Sequence, residues 1–267
     1  MTDFKNWNQI IKKLTYKHNT FQIFKDYLDI IIDNFTLPDQ TPLFQQQDRY
    51  TEQEHQYFAE LYKEHVNIMQ TMLEEKEYYD FPGEWWESDQ NLTNKDTEQY
   101  FTPPDIADLM CEVLEVDSLS SDILTMHDCC CGSGRFALAY HKYRPNDWFF
   151  LVDIDEIAVK MTLVNMLFHG MRGVVCHGNA LTREVFSCWL VSPDLLRFAG
   201  VPYIVPYGKD IGGALSFLPR EVVPVNTTDS DKEVNTTDSD NHADKTKKSV
   251  RKEQTDKTVG GLDAWLK

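Results

Sequence analysis

The chain of 267 residues has no run of eighteen apolar residues, so no segment reads as a membrane-spanning helix. The opening MTDFKNWNQI lacks an apolar stretch behind a basic one, so no secretory signal is expected. Positive charge is scarce. Lys and Arg number 26 against 43 Asp and Glu, a formal net charge of −17. This balance disfavours a broad electrostatic grip on nucleic acid and leaves room only for a local basic groove. Spaced cysteine pairs are also missing. Three of the six cysteines are consecutive, Cys129, Cys130 and Cys131, which makes a poor disulfide framework. Reduced thiols and a cytoplasmic location are the expectation. His127 beside them raises zinc, but structural zinc takes spaced ligands because adjacent residues point apart, so no metal is expected.

What is present is enough to build a core: 42 % of residues are hydrophobic. Residues 1–80 read as helices. Phe4, Trp7, Ile10, Ile11 and Leu14 fall on one helical face. Phe21, Phe24, Tyr27, Leu28, Ile31, Ile32 and Phe35 form a second stripe after Thr20, taken as its N-cap, and Pro38 ends it. Thr51 and Glu54 make a capping-box pattern before Phe58, Leu61, Tyr62, Val66, Met69 and Leu73. Phe81-Pro82-Gly83 reads as a break. Trp85-Trp86 reads as an anchor between packed layers, with base stacking as the alternative.

From residue 101 the period changes. Thr102 is placed to cap a helix opening with Pro103-Pro104, whose buried face would be Ile106, Leu109, Met110, Val113 and Leu114. Strands are expected at 123–127, 148–153 and 174–177, with helices starting at Arg135 and Glu156. Strand–helix–strand repeats predict a parallel sheet with crossover helices. Beyond residue 220, VNTTDSDKE and VNTTDSDNH form a polar nine-residue repeat too poor in apolar surface to order itself, so disorder is expected there. The final GGLDAWLK regains apolar character and reads either as a docking segment for a partner or as a frayed end.

Three loops carry the chemistry. Asp128-Cys129-Cys130-Cys131-Gly132-Ser133-Gly134 follows a strand and opens a helix. Its glycines let backbone approach a ligand, and the helix start offers free N–H groups. Such a turn alone is weak evidence. Asp153 closes the second strand, where an acid can accept from a ribose diol; capping of the next helix is the alternative, and Asp155 stands ready for that role. His177-Gly178-Asn179-Ala180-Leu181 follows the third strand, and Asn179 could meet an adenine edge. All three loops lie at carboxyl ends of parallel strands, where α/β sheets bind ligands.

The order Gln99-Tyr100-Phe101-Thr102-Pro103, DCCCGSGRF, LVDIDEIAVKMTLVNMLFHG, HGNAL resembles the N6-adenine DNA methyltransferases. It is most similar to the modification-subunit type of type I systems and their shorter plasmid and phage cousins. YDFPGEWWE, residues 79–87, is similar to the helical lead-in of the shorter group. The resemblance spans roughly residues 20–190. It implies a Rossmann-like, S-adenosylmethionine-dependent methyltransferase core of α/β class with an incomplete sheet. Domain bounds would be 1–98 (helical), 99–222 (cofactor-binding) and 223–267 (disordered tail). It implies S-adenosylmethionine contacts from Tyr100, Phe101, Thr102, Asp128, Gly132, Gly134, Asp153 and Asn179. DNA would be the substrate, with a specificity or other partner subunit as a further partner, as in restriction-modification systems.

The sequence departs from that family at Cys129, Glu98 and Asn179, and above all at the catalytic Asn/Asp-Pro-Pro-Tyr/Phe. In that tetrapeptide the first side chain and a proline carbonyl accept from the adenine N6 amine while the aromatic ring stacks on the flipped base. Pro-Pro occurs once here, at Pro103-Pro104. Gly200-Val201-Pro202-Tyr203 and Ile204-Val205-Pro206-Tyr207 are the nearest matches, leaving Tyr203 and Tyr207 as stacking candidates and no acceptor. A full sheet would need about four more strands after the third, on the order of 80–100 residues. A non-catalytic cofactor- or DNA-binding accessory protein is the competing expectation.

Overall fold

The structure is a computed structural model that describes residues 4–37, 40–45, 47–88, 101–116, 122–192, 194 and 200–219. Gln99, Tyr100, Pro38 and the expected tail with its terminal Trp265 lie outside the described residues.

Helix α1 (Lys5–Leu14) buries Trp7, Ile11 and Leu14, as its spacing predicts. Helix α2 (Thr20–Phe35) buries Ile23, Phe24, Tyr27, Leu28, Ile31 and Ile32. Its cap is Asn19, not Thr20. Asn19 has extended backbone, and its Oδ1 accepts the Gln22 amide at 2.7 Å, while Thr20 is already helical. Helix α3 (Glu52–Glu75) starts in the expected capping box: Thr51 Oγ1 accepts from the Glu54 amide, and Glu54 Oε2 from the Thr51 amide at 2.8 Å. Its buried stripe is rotated from the predicted one. Phe58, Leu61, His65, Ile68 and Met69 turn inward, while Tyr62, Val66 and Leu73 reach water. The rotation follows from His65, whose ring is stacked between Phe81 and Phe168 at 4.0 and 4.2 Å, with Nδ1 2.7 Å from the Tyr27 hydroxyl.

Phe81-Pro82-Gly83 is not a break but the first turn of helix α4 (Phe81–Ser88). Proline at a first turn gives up an amide that has no helical partner anyway. Trp85 and Trp86 are buried as anchors. Trp85 meets Trp7 edge-on at 5.7 Å and donates its indole N–H to Asn8 Oδ1.

Helix α5 (Pro104–Val113) has Pro103, not Thr102, at its N-cap position, and no side-chain cap. Its expected buried face is its exposed one. Ile106 is 46 % and Val113 72 % accessible, and Leu109, Met110 and Leu114 are exposed with them. The buried residues are Ala107 and Cys111, because α5 packs on helix α6 (Arg135–Tyr143) through small side chains.

The sheet comprises β1 (Thr125–Asp128), β2 (Trp148–Asp153), β3 (Arg172–Asn179), β4 (Glu184–Val191) and β5 (Ile204–Gly208), in that spatial order. β1, β2 and β3 are parallel, linked through α6 and α7 (Glu156–Phe168). Both crossovers step the same way across the sheet, so right-handed connections place α6 and α7 on one face. β4 runs antiparallel to β3 and β5 antiparallel to β4, which restores the direction of β1–β3, and the short helix α8 (Ile211–Leu215) packs on β4 and β5. Beside β5, Leu37 at the end of α2 donates its amide to the Ile204 carbonyl.

Every residue of α7 from Ile157 to Leu167 is buried. Strands β2, β3 and β4 cover one side of it, and α2 and α4 another. Lys160 is buried too, with its ammonium 2.6 Å from Asp29 of α2 and 2.5 Å from Glu156. Helices α2 and α4 thus pack on α7 within one compact unit. Among the described residues no helix is long and apolar enough to cross a membrane.

Candidate functional site

The turn between β1 and α6 is built to hold a fixed shape. Gly132 and Gly134 have φ of +56° and +87°, a region that side chains disfavour. A Cβ on Gly132 would also come 2.9 Å from the Phe101 ring, so the aromatic lies directly against bare backbone. The Cys131 amide donates to the Val152 carbonyl at 3.0 Å, and the Gly134 amide to the Cys131 carbonyl at 2.8 Å. The Thr162 hydroxyl of α7 props the turn from below by donating to the Gly132 carbonyl at 2.8 Å.

Asp153 faces this turn. Its Oδ2 accepts the Gly132 amide at 2.8 Å and its Oδ1 the Asp155 amide at 2.9 Å. It is only 9 % exposed. Each carboxylate oxygen keeps further acceptor capacity, but bracing the turn is the contact the structure shows. Asp155 caps α7 by accepting the amides of Ile157 and Ala158. Asp128 at the end of β1 accepts the Cys130 amide at 3.0 Å. Asp128 pairs in register with Leu151, two residues before Asp153, so both carboxylates project from the same sheet face on adjacent strands. Asn179 ends β3 in a local turn, with its Oδ1 accepting the amides of Leu181 and Thr182.

Burial pushes the Asp128 carboxyl above its ordinary range, with the Asp153 charge adding to this and the Cys130 amide opposing it. The Cys131 thiol is pushed well up by burial and by Asp153, and the Cys130 thiol is raised by burial and Cys129. The Cys130 and Cys131 thiols are thus held in their neutral form beside two carboxylates. Among the described residues no group of three or more His, Cys, Asp or Glu is arranged to hold a metal.

Phe101 and Thr102 form the other wall. Phe101 is buried and donates its amide to Glu87 Oε1 at 3.2 Å, and the Thr102 carbonyl accepts from Arg135 at 3.1 Å. The expected set Phe101, Thr102, Asp128, Gly132, Gly134 and Asp153 therefore gathers around one turn, with Asn179 two strands from β1.

The two tyrosines do not join them. Tyr203 is buried where its carbonyl accepts the Ser192 amide, beside Val191, which pairs with Gly173 near the start of β3. That is the amino end of the parallel strands, opposite the turn. Tyr207 lies in β5, three strands from β2, on the order of 14 Å at ordinary strand spacing. Its ring packs 6.3 Å from Phe217. Residues the sequence reading did not single out sit closer. Asp80, Glu87, Ser133, Arg135, Thr162 and Asn165 all bond the turn or its flanks.

Residues 87–211 match the family model described as N-6 DNA Methylase. No curated protein and no solved structure matches the chain.

Proposed function

We propose, from the match of residues 87–211 to the N-6 DNA Methylase family model, that the chain is an N6-adenine DNA methyltransferase relative that binds S-adenosylmethionine at the 128–135 turn and serves adenine-N6 methylation of DNA. The observation that carries this reading is the pair of carboxylates, Asp128 and Asp153, around a glycine turn whose backbone is bare on the Phe101 side. Two carboxylates on one sheet face suit a ligand carrying a sulfonium and an ammonium. The cofactor would supply an electrophilic methyl group. Asp153 would hold the turn and offer its remaining acceptor sites to ribose hydroxyls. Phe101 and Thr102 would close the site against water. Asn179 would orient the adenine.

The positions of Tyr203 and Tyr207 favour a second reading, a cofactor-binding accessory protein that does not transfer methyl by itself. Neither ring reaches the turn, and neither neighbouring Gly200 nor Ile204 has a side chain that accepts from an amine. Among the described residues two strands follow β3 where the resemblance implies about four, which supports a reduced sheet. The test is incubation of the purified chain with labelled S-adenosylmethionine and duplex DNA. Label appearing on adenine N6 supports the enzyme. Cofactor binding without transfer supports the accessory reading, and absence of binding removes both.

A further inference from the structure

The carboxylate of Asp80 lies just before α4, upstream of the family-matched stretch, and is 2 % exposed. It accepts four hydrogen bonds from three parts of the chain. Oδ1 takes the Gly83 amide at 2.9 Å and Asn165 Nδ2 of α7 at 2.7 Å. Oδ2 takes the Ser133 hydroxyl at 2.5 Å and Arg135 Nε at 2.8 Å. Asn165 Nδ2 also donates to the Ser133 carbonyl at 2.8 Å, so Ser133 is gripped at both ends. Arg135 extends the grip across the site. Its guanidinium donates to the Thr102 carbonyl and to Glu87 Oε2, and it lies 5.8 Å from the Phe101 ring centre. Gly83 is fitted to the same hub: a Cβ there would come 2.1 Å from Asp80 Oδ2.

We propose that Asp80 is a positioning residue for the cofactor turn, acting through Ser133, Arg135 and Asn165, so that the site begins upstream of residue 87. The proposal rests on the cofactor reading above. Packing alone does not call for this hub, because apolar side chains of similar volume stabilise a core at least as well as a buried ion pair. What the hub adds is fixed geometry. One carboxylate sets the turn through Ser133, and through Arg135 it sets the Phe101–Thr102 wall that faces the turn. Asp80→Asn keeps the shape but replaces one acceptor with a donor, pointed at groups that are themselves donors.

The test uses the full-length chain, with S-adenosylmethionine affinity measured by calorimetry. Cys129 and Cys130 are exposed while the other four cysteines are buried, so their labelling rate with an aromatic disulfide reagent reports the order of the turn. Asp80→Asn is expected to weaken binding at least tenfold and to speed labelling severalfold. Ser133→Ala should do less, and the double variant no more than Asp80→Asn alone. Asp26→Asn is the control. That carboxylate is also buried, and it bonds Gln22, Arg49 and Tyr50, none of them near the turn. It should lower the melting temperature yet leave affinity and labelling at wild-type values. Wild-type affinity and labelling in Asp80→Asn would overturn the proposal, as would the same result in Ser133→Ala should Asp80→Asn fail to fold. If the wild type binds no S-adenosylmethionine, the cofactor reading falls. The labelling rates then decide the hub alone: acceleration supports it and no change overturns it.

Discussion

Asp153 Oδ2, at the end of β2, accepts the Gly132 amide at 2.8 Å. The acid expected to bind a ligand is therefore also the brace of the turn that would cradle it. Asp153→Ala is expected to weaken S-adenosylmethionine binding by about 1–3 kcal/mol, the cost of losing hydrogen bonds to a charged group. Calorimetry on the two proteins checks this. Equal affinities would refute the role given to Asp153.

Gly132→Ala meets two obstacles, a φ of +56° and the Phe101 ring at 2.9 Å. It is expected to cost about 1–2 kcal/mol of stability and a larger share of cofactor affinity, since Phe101 must move. Phe101→Ala on the Gly132→Ala background relieves the contact but not the φ strain. It should recover part of the melting temperature and none of the affinity. Denaturant titration and calorimetry read the two effects separately.

Three imidazoles, His65 buried and His141 and His169 half-buried, make stability depend on pH. Burial holds His65 well below its ordinary pKa, with His169 adding to this. Burial likewise lowers His169, and it brings His141 down to about 4. As pH falls below about 6.5 the unfolded chain takes up protons that the folded chain refuses. Stability is thus full above neutrality, and it is lost as pH drops from about 6.5 toward 4. His141→Gln should flatten that slope. A wild-type melting temperature that stays level between pH 7 and 4.5 would contradict this.

The capping box on α3 gives a prediction remote from the site. Thr51→Ala is expected to cost about 1 kcal/mol, by freeing the Glu54 amide and removing the hydroxyl's hydrogen bond to the Glu54 carboxylate. Cofactor affinity should not change. Chemical denaturation with calorimetry alongside measures both quantities.

The sequence spells out what is local. The second strand, Trp148–Asp153, was legible to the residue because an apolar run is bounded by Asp147 and a capping Asp155. The box at Thr51 and the glycine turn at Gly132 are equally visible, since their chemistry lies within a few positions. The faces of α3 and α5 were misread because periodicity marks an apolar stripe without saying where the neighbour stands. His65 and Cys111 went inside while Val66 and Val113 stayed out. The tyrosine positions hinge on the antiparallel hairpin of β4 and β5 added beside β3, which no local pattern encodes. Asp80 and Ser133 are 53 positions apart in the chain. A buried acid with distant partners reads, in sequence, like any surface acid.

Helix α7 has no side facing water, and what covers it comes from both ends of the unit: α2 and α4 before it, β4 after it. Neither half can come away without stripping apolar side chains from the same rod. Melting the first eighty residues alone would strand the Lys160 ammonium without Asp29 and expose the helical flank of the sheet. The two halves are therefore bound into one cooperative transition, and the amides of α7 should be the last to exchange with solvent.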